Sequence, residues 1–238
     1  MPQSIHAFAE KVALITNGTS RVGRAIALQL ALQGAFVTVG YSDASVDEES
    51  ALGELRSLGT LSAAVPVDIS TAEGAKSLVD HVNNSYGRLD LLVNCERFSP
   101  ETAFQDTGND LFTGMIDRNL RSVFFITQAA VELMRDRPKA RIVNIVSACD
   151  TAEISANSAF CMTQAAIMDL TRTLAASLPK KFRVNCVRVS DKGSPTAGAG
   201  SDLYELDKGV KADDVARVVV YLLSGEAVGV NGQILIVE

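Results

Sequence analysis

The sequence predicts an α/β fold in a single domain, a doubly wound parallel sheet with helices on both faces, and three observations carry that expectation. Short β-branched runs alternate with longer helical patterns from end to end, the order that parallel strands joined by crossover helices require. No internal repeat or low-complexity tract interrupts the alternation. The chain has 238 residues, 47% of them hydrophobic, and a chain of this length buries roughly 70% of its unfolded surface in one core. Residues 1–238 are therefore assigned to one domain.

Seven runs qualify as strands. Val12–Thr16 is the first, and a helix over Arg21–Gln33 follows it. Phe36–Gly40 precedes a helix at Val46–Leu58, and Ser62–Val67 precedes one at Ser70–Tyr86. The fourth strand, Leu91–Asn94, leads to a long helical stretch at Asn109–Asp136, and the fifth, Arg141–Ser147, to a helix at Ala156–Leu178. After Arg183–Val189 the segment Ser190–Asp207, rich in Gly, Ser and Asp, reads as a loop. Ala212–Leu223 and Gln233–Val237 supply the last helix and strand.

Charge and composition exclude several classes. A formal net charge of −6, from 22 basic and 28 acidic residues, argues against a nucleic-acid groove, because an acidic chain is repelled by phosphate backbone. Cys95, Cys149, Cys161 and Cys186 form no C-x-x-C pair and no zinc pattern with His6 or His81, so buried thiols and no metal site are expected. Both histidines are read as solvent-facing. MPQSIHAFAEK lacks a basic start followed by an apolar run, and no stretch of eighteen uncharged apolar residues occurs. The expectation is a cytoplasmic protein with neither a membrane nor a nucleic-acid partner.

Two helical segments are poor in charge. From Ala156 to Leu178 only Asp169 and Arg172 are ionisable, and from Ser122 to Met134 only Glu132. A helix that is small or apolar on nearly all sides must be covered on nearly all sides. One side can face the sheet, and a second subunit is expected on the other, because an apolar patch of that size otherwise meets water.

The first strand runs through Thr16 into Asn17-Gly18-Thr19-Ser20-Arg21-Val22-Gly23-Arg24 and then into a helix. Such a turn needs residues that let backbone N–H groups approach a pyrophosphate at the helix N-terminus. Only Gly18 and Gly23 supply glycine there, and Asn17 is the residue type that tolerates the left-handed conformation. By itself the segment is equally an ordinary strand-to-helix turn.

The order of signals resembles that of the short-chain dehydrogenases/reductases, single-domain NAD(P)-dependent oxidoreductases with a seven-stranded Rossmann core. The resemblance runs along essentially the whole chain: the Thr16–Gly23 loop, Asp68 after the third strand, Leu92-Val93-Asn94, Asn119-Leu120, Ile142 through Ser147, Arg183 through Val187, and Asn231-Gly232-Gln233. Within the family the chain looks closest to the 3-oxoacyl and pteridine reductase branches, Arg21 and Phe98-Ser99-Pro100 being pteridine-reductase-like. The resemblance implies nucleotide contacts at Thr16, Asn17, Gly18, Ser20, Arg21, Val22 and Gly23, at Tyr41 and Ser42, at Asp68 and Ile69, and at Asn94.

The departures matter more than the matches. Asn17 and Arg21 stand where the family usually has glycine, Asn94-Cys95-Glu96-Arg97 where it has Asn-Asn-Ala-Gly, and Val189-Ser190 where a Pro-Gly pair supports the nicotinamide. Family members place Tyr-x-x-x-Lys about thirteen residues after a catalytic Ser, an i,i+4 pair facing one way. Here Ser147 is followed by Phe160-Cys161-Met162-Thr163-Gln164, with Ser158-Ala159 and Ala165-Ala166 holding the register. In the family the Tyr gives a proton to the alkoxide left by hydride transfer, and the Lys charge lowers its pKa. Phe160 has no proton to give; Gln164 can reach a ribose hydroxyl but carries no charge. Ser147 and Asn119 are the catalytic remnants.

The expected function is therefore a reductase scaffold with little or no hydride transfer and a binding, regulatory or oligomeric-scaffold role. The competing reading is a working NADP(H)-dependent carbonyl or pteridine-type oxidoreductase that uses Ser147 and Asn119 with an unconventional proton donor. Neither the acidic residue of NAD-preferring relatives at Tyr41 nor the basic set of NADP-preferring ones near Ser20, Ser42 or Asp43 is present. Arg21 and Arg24 tilt a bound nucleotide toward NADP(H) over NAD(H), and a chain without cofactor is the remaining case. A small-molecule ligand or nucleotide, and a homo-oligomer (dimer or tetramer) or a hetero-oligomer with an active relative, are the partners expected.

Overall fold

The computed structural model describes residues 7–42, 53, 55, 57, 61–149, 157–190 and 210–238. Among them seven strands form one parallel sheet in the order β3-β2-β1-β4-β5-β6-β7. The strands are β1 (Val12–Ile15), β2 (Phe36–Tyr41), β3 (Ser62–Pro66), β4 (Leu91–Asn94), β5 (Ala140–Ser147), β6 (Phe182–Val189) and β7 (Ile234–Val237). Every residue of β1, β4 and β5 is buried, which is why these strands read as continuous apolar runs rather than alternating ones. The chain winds outward to β3 on one side of β1 and restarts at β4 on the other. Side-by-side strands whose connections leave in opposite directions open a crevice at their carboxyl ends, where open α/β sheets bind ligands.

Helices α1 (Arg21–Leu32) and α6 (Ala212–Leu223) cover one face, with Val22, Ile26 and Leu30 spaced for one helical side against Val215 and Val219. The other face carries α2 (Ala72–Tyr86), α4 (Ser122–Leu133) and α5 (Ser158–Ser177). α2 begins two residues later than expected: Asp68 Oδ1 accepts from the Ser70 N–H at 2.9 Å, and Thr71 then caps the helix by accepting from Gly74 N at 3.0 Å. It ends at Gly87 with φ 66°, a left-handed stop that suits glycine.

The predicted single helix over Asn109–Asp136 is a correction. The structure has α3 (Asn109–Met115), a π-helical stretch at Ile116–Arg121, and α4 ending at Leu133. A π turn holds one extra residue, which re-aims a side chain out of the α register. Here that stretch holds Asn119, fully buried, facing the loop after β4. Of the helix expected at Val46–Leu58, Gly53, Leu55 and Ser57 are helical and Leu55 is buried. The rest of it, together with His6, Asp43 and the expected loop beyond Ser190, lies outside the described residues. His81 is exposed as expected.

Asp90 pins the lower edge of the β1–β4 pair. Its buried carboxylate takes two hydrogen bonds from Arg88, Nε at 2.9 Å and Nη2 at 2.7 Å, one from the Val12 N–H at 3.1 Å, and faces Lys11 at 3.5 Å. Burial opposes its ionisation, but these donors and cations prevail and hold its pKa below the ordinary carboxylate value. No helix among the described residues is long and apolar enough to cross a membrane.

Candidate functional site

The carboxyl ends of β1 through β5 bring three segments together. The first is the loop after β1. Asn17 adopts φ 45°, the left-handed conformation that its side-chain type tolerates, so it stands in for a glycine without strain of the β-branched kind. Gly18 and Gly23 are required by space: a Cβ on Gly18 would lie 2.5 Å from Val39 Cβ, and one on Gly23 2.5 Å from the Asn17 carbonyl oxygen. Ser20 caps α1, its hydroxyl accepting from Gly23 N at 3.2 Å. Arg21 and Arg24 are exposed on the first turn, which carries no acidic residue. Each cation there opposes the positive end of the helix dipole by about 0.3–1 kcal/mol, an arrangement that an incoming polyphosphate reverses. This half of the crevice fits a pyrophosphate. Thr16 and Val22 are buried; Thr16 Oγ1 accepts from Cys95 N at 3.1 Å, and Asn17 Nδ2 donates to the Cys95 carbonyl at 3.2 Å. Both bonds tie the loop to the end of β4.

The second segment is a small cleft of about 20 Å³, room for little more than one water, lined by Tyr41, Ser42, Asp68, Ile69, Glu96 and Arg118. Hydrogen bonds from Ser70, with Arg118 nearby, hold the Asp68 carboxyl below its ordinary pKa, so it is an anion at neutral pH. Arg118 lies 4.2 Å over the Phe98 ring centroid. Sequence reasoning named Tyr41, Ser42, Asp68 and Ile69 here but missed Arg118 and Ser122; the available signal was their place beside Asn119, on the helix that crosses the loop after β4.

The third segment is the point where Ser147 and position 160 meet. Ser147 ends β5 and is buried, and Phe160, in the first turn of α5, is wholly buried among Met115, Ala159, Phe98 and Leu111. Arg97 reaches between them: its guanidinium carbon stands 5.4 Å above the Phe160 centroid and its Nε donates to Ser147 Oγ at 3.4 Å. Gln164 differs from the expectation of a ribose contact. Its side chain turns inward, buried, with Oε1 accepting from the Ser147 N–H at 2.9 Å and Nε2 donating to Thr163 Oγ1 at 3.2 Å. The reason is that a neutral amide can satisfy a buried strand-end N–H, which an ammonium cannot accept from. Asn119 is likewise spent on structure: Oδ1 accepts from Phe98 N at 2.7 Å and Nδ2 donates to Phe98 O at 2.8 Å.

Asn94 is the other departure. Its side chain lies in the interior, with Nδ2 donating to Thr127 Oγ1 at 3.0 Å and to Asn144 Oδ1 at 2.8 Å, and Asn144 passes the chain on to Thr171 at 2.9 Å. Asn94 and Asn144 are register partners across β4 and β5, so their amides face each other rather than the crevice. The four cysteines are unbridged; Cys95 and Cys186 are buried as expected, whereas Cys149 and Cys161 are half-buried. Burial raises the Cys95 thiol and pushes Cys186 up to about 12, so neither is a thiolate at neutral pH. No group of potential metal ligands occurs among the described residues.

Residues 18–238 match the family profile described as enoyl-(acyl carrier protein) reductase. A short-chain dehydrogenase/reductase of Cladobotryum sp is 31% identical over 209 residues, covering 87% of this chain and 78% of that protein. The 3-oxoacyl-[acyl-carrier-protein] reductase of Staphylococcus aureus is 28% identical over 232 residues, covering 94% of each chain. Among solved structures, a short-chain dehydrogenase/reductase from Serratia marcescens superposes with a TM-score of 0.86 at 24% identity, covering 98% of both chains.

Proposed function

The chain belongs to the short-chain dehydrogenase/reductase family, whose fold binds NAD(P)(H), and from that premise we propose that it is a nucleotide-binding member that transfers little or no hydride and serves a binding or regulatory role. One observation carries this reading: the position that should give a proton is a buried phenyl ring under a guanidinium. A positioned general acid is worth roughly 10²- to 10⁴-fold in rate. A phenyl ring supplies none of it, and an arginine cannot lose its proton in a protein. A water standing in for the phenol needs two to four polar partners; the Phe160 ring packs against Phe98, Met115 and Leu111, and the polar groups beside it, Arg97 and Ser147, are bonded to each other. Ser147 keeps its hydroxyl, but Arg97 donates to it.

The nucleotide half of the reading is supported by the loop of Asn17, Gly18 and Gly23 and by the small cleft beside it at Tyr41, Ser42 and Asp68. The cations at Arg21 and Arg24 favour a 2′-phosphorylated nucleotide. When bound in this family, NAD(P)H supplies the hydride. Here the residues of the chain bind phosphate and adenosine, and the residues at Ser147 exclude water and hold no transferable proton. Purified protein incubated with NADPH or NADH and a panel of ketones, aldehydes and pterins is expected to show no steady oxidation of the nucleotide, while calorimetry detects nucleotide binding in the micromolar range, worth about −8 kcal/mol. Steady turnover on any of those carbonyl or pterin substrates refutes the catalytic half, and silence in calorimetry toward the dinucleotides and ADP-ribose alike refutes the nucleotide half.

A further inference from the structure

The two ends of the crevice are built for different things. At the β1–β2 end the phosphate loop, with Arg21 and Arg24 exposed on the first turn of α1, borders the small cleft at Tyr41, Ser42 and Asp68. At the β5 end the space between Ser147 and position 160 contains a side chain of the protein itself, Arg97. In a hydride-transferring relative that space holds the reacting carbonyl, and the nicotinamide must bring its carbon to within about 3–3.5 Å of it. A guanidinium there occupies the volume of one or both.

Arg97 is half-buried and sits in a braced stretch of chain. The backbone on either side is clamped: Cys95 by Thr16 and Asn17, Phe98 by both ends of the Asn119 amide, and Pro100 by Asn157 Nδ2 at 2.8 Å. Asn157 also bonds Ser99 Oγ at 3.1 Å. The cation lies over the face of a buried phenyl ring, where the ring quadrupole attracts it. Its charge adds a second bar, because the oxidised nicotinamide ring is itself a cation and like charges in a water-poor site repel strongly.

Resting on the nucleotide reading above, we propose that the crevice receives the adenosine-diphosphate half of a dinucleotide and excludes the nicotinamide half. Its ligand class is then the adenine nucleotide without a nicotinamide ring, with ADP-ribose and its 2′-phosphate as the representative members. Arg97 is the residue that sets this specificity, and the crevice senses such a nucleotide rather than using it.

The test is paired calorimetry on the full chain, comparing ADP-ribose with NADH and 2′-phospho-ADP-ribose with NADPH, so that the preference at the 2′ position cancels within each pair. The wild type is expected to bind each ring-free nucleotide at least as tightly as its dinucleotide. Arg97→Gly is expected to raise the affinity ratio of dinucleotide to ring-free nucleotide by about tenfold. Because the readout is a ratio within one protein sample, a partly unfolded variant does not mimic the result, and Arg97→Ala provides a second variant with less backbone freedom. A wild type that prefers NADH and NADPH overturns the proposal while leaving the nucleotide reading intact, and so does a ratio that both variants leave unchanged. Failure of the wild type to bind any of the four nucleotides overturns the nucleotide reading and this proposal with it.

Discussion

Phe160 and Gln164 look like two independent losses when read along the chain, but at the level of single residues they belong to a set of four with Arg97 and Ser147. The Phe160 ring is a platform for the Arg97 cation, and the Gln164 amide closes the Ser147 N–H. Replacing Phe160 by Tyr and Gln164 by Lys together is therefore expected to leave NADPH oxidation at background, measured spectrophotometrically with a ketone panel, because Arg97 still occupies the reacting position. The Lys would also be buried without an anion, which costs several kcal/mol unless it loses its proton. Gln164→Leu, of similar volume, is expected to destabilise the fold by about 1–3 kcal/mol, the cost of leaving a buried N–H unsatisfied. Urea unfolding measures this, and an unchanged midpoint would show that Gln164 is not the partner that holds Ser147 in place.

Among the elements, the π stretch Ile116–Arg121 and the lower edge of β4 determine where the site stands. Asn119→Ala removes both partners of Phe98 and is expected to cost about 1–3 kcal/mol, and amide exchange over residues 95–100 should quicken more than elsewhere. A uniform change across the chain would place the loss outside that loop. At the other end of β4, Asp90 makes stability depend on pH. Its folded pKa lies below its unfolded value of about 4, so its contribution is full above that unfolded value and is lost as pH falls through the lower folded one. Asp90→Asn is expected to cost about 1–3 kcal/mol at neutral pH, as for hydrogen bonds to a charged group. The gap to wild type should close as pH is lowered below about 4 in urea titrations; a gap that persists unchanged in acid would mean that the ion cluster contributes no pH-linked stability.

For the molecule as a whole, the apolar face formed by α4 and α5 remains to be covered. Phe124 is 46% exposed and Met162 55% exposed, and a groove of about 390 Å³ runs between Ile116, Leu120, Phe124, Phe125, Ala166 and Leu170. Nothing charged but Arg121 lines it. A second copy of the same face is its natural cover, since each helix is poor in charge on that side, and a homo-oligomer is the expected state. Sedimentation at micromolar concentration should show a dimer or tetramer, and Phe124→Glu should shift it to a smaller species, because a charge left at a dry interface goes unpaired. A monomeric wild type would instead assign the face to a different chain.

What the amino-acid sequence determined by itself was everything carried by periodicity and local chemistry. Strand and helix alternation, the tolerance of Asn17 for its turn and the absence of a proton donor at position 160 all follow from residue types within a few positions of one another. The number of strands and their parallel arrangement were legible in that alternation, but their order in the sheet came from the structure. Tertiary structure alone decided which partner each polar side chain found. Asn94 met Asn144 because β4 and β5 register them side by side; Asn119 met Phe98 because a π turn carried it out of the α-helical register. Gln164 turned to Ser147 rather than outward, and Arg97, read along the chain only as a residue in the place of a glycine, became the occupant of the reacting position. A side chain of that length reaches across the crevice to residues fifty and more positions away, and neither spacing nor propensity encodes which of them it will touch.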